Sequence, residues 1–204
     1  MIRLTPTCTA IALALLTFSA ASAEEFQLSG TARHGPEAAQ AAAVLATDGI
    51  LRVVNGFEPA DVSGDMAPIT ALANSVYAVD ADVFRSQEFI TEADAGGAAF
   101  LKSLGFIHEQ LGGGAEYLAP QQVCAIYAFR PEDDTNGEID FTMATSALVP
   151  QFGQVLNMVL VRTKVVGGLR QITYHDYLTA PAAGQDCTGP AASAFDAEWA
   201  ERVQ

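Results

Sequence analysis

Hydrophobic positions along this 204-residue chain change their spacing near residue 120. Upstream, apolar residues step by three and four, the period of a helix face. Downstream they alternate, the period of a strand. A first strand is expected over Glu25–Arg33. In "GPEAAQAAAVLATDG", Pro36 suits a first helical turn and Gly49 a stop, which predicts a helix over Pro36–Thr47 and a strand over Ile50–Val54. Asn55–Pro68 reads as irregular loop. Residues 69–84 carry both signals: Ile69, Leu72, Val76, Val79 and Val83 make a helical stripe, while Val79 to Val83 alternates. The longer stripe favours helix. Thr91 and Asp94 mark another helix start, and Leu101, Leu104, His108 and Leu111 share its face before Gly112–Gly114 ends it.

Beyond residue 120, Gln121–Phe129 is apolar on both faces and reads as a central strand. Ile139–Val149 alternates. Val155–Val166 and Leu169–Leu178 flank Gly167-Gly168, a two-residue hairpin signal. A Pro-, Ala- and Gly-rich tail leads to a short closing helix over Ala194–Val203. The pattern predicts a single α+β domain: an antiparallel sheet of about four or more strands, a meander over 121–178, with helices packed on one face. Sheets of this kind often enclose a pocket, as in the cone-shaped NTF2-like fold, none of whose residue motifs occurs here.

The first 23 residues fall outside that domain. A basic tip at Arg3, an apolar run over Ala10–Phe18 and Ala21-Ser22-Ala23 together read as a cleaved secretory signal peptide. The run is shorter than the ~20 residues a bilayer span takes. Cys8 lies ahead of the run rather than at the cleavage point, which argues against a lipid-modified cysteine. The expected mature chain is 24–204, and losing Arg3 moves its net charge from −14 to −15. So acidic a chain is a poor partner for nucleic acid or an anionic membrane surface. No membrane insertion is expected, and the protein should be periplasmic or secreted, a monomer or small homo-oligomer. Two lysines against eight arginines, with abundant alanine, suit a GC-rich bacterial genome. Cys124 and Cys187 survive processing, and in an oxidising compartment an even pair predicts one disulfide tying the C-terminal tail. The rival reading, a nucleophilic Cys124, is disfavoured by its apolar run.

Candidate chemistry is sparse. "PEDDTNGEIDFTM" resembles an EF-hand calcium loop over twelve residues. Glu132, Asp134, Asn136 and Asp140 stand at oxygen-ligand positions around Gly137. Met143 replaces the bidentate glutamate, and Asn136-Gly137 between alternating runs is a hairpin signal. The expectation is therefore a turn without metal. His108-Glu109 begins like a zinc HExxH motif but lacks the second histidine. His175 lies in "ITYHDYL"; a strict two-residue turn at Gly167-Gly168 places it across from Leu160, on the face of Met158 and Arg162. His108, His175, Arg162 and Tyr177 are the candidates for a ligand pocket. No nucleophile elbow, Walker loop, GxGxxG or haem-attachment motif is present, and no cofactor is expected. The reading is an exported binding or accessory domain for a small molecule or protein partner. The alternative is a small hydrolase or isomerase with His108 or His175 as general base.

Overall fold

The structure, a computed structural model, describes Leu28 and residues 31–58, 64–110, 122–130, 137–149 and 152–203. Strand β1 (Ala32–His34) leads into helix α1 (Glu37–Gly56), then α2 (Ala67–Val76), β2 (Tyr77–Val83) and α3 (Gly96–Gln110). Four long strands follow, β3 (Gln122–Phe129), β4 (Ile139–Val149), β5 (Gly153–Val166) and β6 (Leu169–Tyr177), then β7 (Ala182–Ala183) and α4 (Pro190–Arg202). Residues 1–23, read above as a signal peptide, lie outside the described residues.

The fold is α+β, and β3 to β6 form the expected antiparallel meander. The sheet as a whole is mixed. Its order is β1-β3-β4-β5-β6-β2, with β1 parallel to β3 and β2 parallel to β6. Each parallel strand runs straight into or out of a helix, and such crossovers bring a strand back in the same direction. β3 is thus interior but lies next to a three-residue edge strand rather than mid-sheet. β7 pairs with β5 at Val155 and Leu156, beyond the stretch that β6 covers.

Three upstream expectations need correction. Helix α3 starts at Gly96 rather than at Thr91, whose amide and hydroxyl both donate to Asp94 Oδ2. Residues 37–56 are one helix, not a helix and a strand. Ala39, Ala43, Ala46, Ile50, Val53 and Val54 form a continuous buried stripe through Gly49. Gly49 does not stop the helix, because a side chain there would meet Val76 Cγ2 at 3.0 Å; it is where α2 packs against α1. The ambiguous 69–84 stretch splits, with α2 ending at Val76 and β2 starting at the next residue. Both periodicities were present because each governs its own half.

Helices α1, α2 and α3 cover one face of the sheet around a core that includes Ile126, Phe141 and Val161. Contrary to expectation, α4 packs on the opposite face, where Ala192, Phe195 and Trp199 meet Ala125, Tyr127, Ala144 and Leu156. Residues alternate between the two faces along each strand, so β4 and β5 supply both cores. The tail is tied down by the expected disulfide: Cys124 and Cys187 are bonded, with Cα atoms 5.2 Å apart.

Candidate functional site

A cavity of about 430 Å³ lies between the first face of the sheet and helices α1 and α3. Alternate residues of the meander make its floor: Thr145, Ala147 and Val149 on β4, Val155, Asn157 and Val159 on β5, and His175 and Tyr177 on β6. Phe100, Ser103, Leu104 and Ile107 descend from α3, while Ile50 and Val54 close the side formed by α1. Phe106 and Phe152 also line it and are themselves exposed, which places them at the mouth. Among the described residues, no Asp, Glu, Lys or Arg lines this space.

The polar centre is His175, 2% exposed and ringed by aromatic side chains. Its Nδ1 is 2.8 Å from the Tyr77 hydroxyl, and its ring centroid lies 4.7 Å from Phe84 and 5.5 Å from Phe100. Phe84 stacks on Tyr177 at 4.7 Å as well. Phe84 has φ +50°, an unfavourable conformation for a bulky side chain, and its amide donates to the His175 carbonyl at 2.7 Å. Such strain persists where the surroundings over-determine it, often at ligand sites.

Burial pushes the His175 pKa down to about 3, so the ring is neutral at physiological pH. Burial likewise raises the Tyr77 phenol well above its usual value and Tyr177 to about 12, so both keep their protons. Tyr77 is 1% exposed, and His175 is the hydrogen-bond partner of its hydroxyl among the described residues. A buried O–H needs an acceptor, so Tyr77 donates to Nδ1. The proton of the neutral ring then sits on Nε2, the nitrogen left to the cavity.

No family model, curated protein or solved structure matches this chain.

Of the four pocket candidates, His175 and Tyr177 share the cavity wall. His108 is buried in the last turn of α3 and is not among the residues lining it; Phe100, one end of that helix away, meets His175 instead. Arg162 lies on the opposite face of the sheet, where its Nε and Nη2 donate to the two carboxylate oxygens of Asp140 at 2.7 and 2.8 Å. The strict hairpin register fails because β6 carries one extra residue at Thr173: Thr163 pairs with Ile172, but Arg162 pairs with Tyr174. His175 is therefore opposite Val161, not Leu160. One inserted residue turns every later side chain of β6 to the other face, separating His175 from Arg162. Asp176, its sequence neighbour, faces away and accepts from the Ser86 amide at 2.9 Å and the Ser86 hydroxyl.

Of the calcium-loop positions, Glu132, Asp134 and Asn136 lie outside the described residues. Asp140 has both oxygens engaged by Arg162. Gly137, with φ +67°, enters β4 after the loop from β3. The third histidine, His34, stacks on Tyr127 at 4.6 Å, away from the cavity. Sequence reasoning missed the tyrosine that orients His175. Tyr77 lies 98 residues away from it, in a stretch read as helix, and no local signal joins the two.

Proposed function

We propose that this protein is an exported binding protein for an apolar small molecule, held in the cavity above β4, β5 and β6. The observation that carries the reading is a largely apolar cavity of about 430 Å³, with a few converging polar groups and no charged side chain among its described lining residues. That is the size and character of small-molecule sites in general. Export rests on the leader-like first 23 residues and on a disulfide that suits an oxidising compartment. A periplasmic or secreted monomer or small homo-oligomer fits this role. No helix among the described residues is long and apolar enough to cross a membrane.

The enzyme alternative has less support. A general base works best with a pKa near the operating pH, whereas His175 is held at about 3. Its free lone pair is already occupied by Tyr77, and no carboxylate of the described residues lines the cavity to activate it.

Nile red, a neutral apolar dye, tests the reading. Its fluorescence should rise saturably with the wild-type protein. Ala147→Phe, which fills the cavity from β4, should abolish the rise while leaving the circular dichroism unchanged. Equal dye binding by both proteins would place the apolar site elsewhere. Cell fractionation and N-terminal sequencing check export; the mature chain should be extracytoplasmic and begin at Glu24.

A further inference from the structure

We infer that the cavity selects an uncharged ligand bearing a hydrogen-bond acceptor oxygen, a ketone, ester or similar carbonyl, received by His175 Nε2–H with Tyr177 beside it. The inference rests on the binding reading above and narrows it to a chemical class. Three observations combine. First, the Tyr77 hydroxyl, 2.8 Å from Nδ1, fixes the tautomer and turns His175 into a donor toward the cavity. Second, Tyr177 lies two residues along the same strand, on the same face, and lines the cavity as well. One imidazole and one phenol thus line the same largely apolar wall. Third, none of the described lining residues carries a compensating charge.

Charge discrimination follows from that third point. A carboxylate brought into the cavity would lose its hydration and gain no cation in return, a large penalty. A hydrocarbon would fit but would leave the buried donor on His175 unpaired, which also costs binding. A neutral carbonyl avoids both losses.

Three probes with one ring system separate these cases: 2-acetylnaphthalene, 2-ethylnaphthalene and 2-naphthoate, each competed against Nile red at pH 7.5. The ketone should bind more tightly than the hydrocarbon by roughly threefold to tenfold, the size of one net hydrogen bond, and the carboxylate should bind most weakly. In the wild-type protein, the carbonyl stretch of bound 2-acetylnaphthalene should move to lower wavenumber than in a hydrocarbon solvent. His175→Phe should erase the preference for the ketone while still binding 2-ethylnaphthalene. Tyr77→Phe, which frees the tautomer, should reduce that preference. The infrared shift needs no variant, so the inference stays testable if His175→Phe fails to fold. Equal binding of ketone and hydrocarbon with an unshifted carbonyl overturns the inference and leaves the binding reading standing. Tightest binding by 2-naphthoate also overturns it. Failure of all three probes and of Nile red removes the binding reading itself.

Discussion

At the scale of single residues, the burial of His175 has a thermodynamic consequence independent of any ligand. Its folded pKa, about 3, lies below the 6.5 of a free imidazole. Between those values the unfolded chain holds a proton that the folded protein does not, so protonation favours unfolding. The contribution is flat above about pH 6.5 and erodes as pH falls toward 3, by up to ~1.4 kcal/mol per pH unit. Urea unfolding of wild type and His175→Phe at pH 7.5 and 4.5 isolates it. Wild type should lose about 2–3 kcal/mol more than the variant over that interval. An identical loss in both would mean that the imidazole is solvated and titrates normally. The partner tyrosine was beyond local reading, since Tyr77 and His175 are joined only by the parallel pairing of β2 and β6.

At the scale of elements, packing decided what propensity left open. Gly49 looked like a helix stop because glycine destabilises a helix interior by about 1 kcal/mol, but close approach of α2 gives it a reason to stay. Gly96 carries the same logic further. Its φ is +59°, and a side chain there would come within 2.6 Å of the Ala78 carbonyl oxygen on β2. Gly96→Ala should therefore combine a left-handed penalty of about 1–2 kcal/mol with an overpacking cost of about 1–3 kcal/mol. Thermal unfolding should show a clear fall in Tm, and a Tm equal to wild type would mean that α3 does not start against β2. The β3–β4 connection makes a second prediction at this scale. With Asp140 held by Arg162 and Met143 in the core, calorimetric titration of calcium should give no saturable binding tighter than about a millimolar, the weak end of extracellular sites.

For the whole molecule, the disulfide ties the C-terminal tail to the face of the sheet that carries the second core. Cys124 sits on β3, and Cys187 precedes α4, so the bond anchors the segment that carries the second core. Protein cleaved ahead of Glu24, as proposed, and denatured without reductant should titrate no free thiols, since Cys124 and Cys187 are bonded. Reduction should lower stability by roughly 4 kcal/mol, the chain-entropy value for a loop of this size, and should loosen α4 first. Quenching of Trp199 fluorescence by acrylamide follows that step, because Trp199 is buried on the sheet by α4. Unchanged quenching after reduction would show that packing alone holds the helix.

The sequence by itself determined the strands of the meander, the hairpin at Gly167-Gly168, the cysteine pair and the α+β class. Those depend on period-two alternation, on glycines suited to positive φ and on counting, all local properties. It also offered His175 and Tyr177, together with His108 and Arg162, as pocket candidates, because a His, an Arg and a Tyr were expected on one otherwise apolar sheet face. Only the tertiary structure decided which face each polar group serves. One extra residue at Thr173 turned His175 toward the cavity and left Arg162 with Asp140 behind the sheet. The faces chosen by α3 and α4, and the union of Tyr77 with His175, were likewise settled by packing between segments far apart in sequence. Local periodicity states that a face is apolar; it does not state what will cover it.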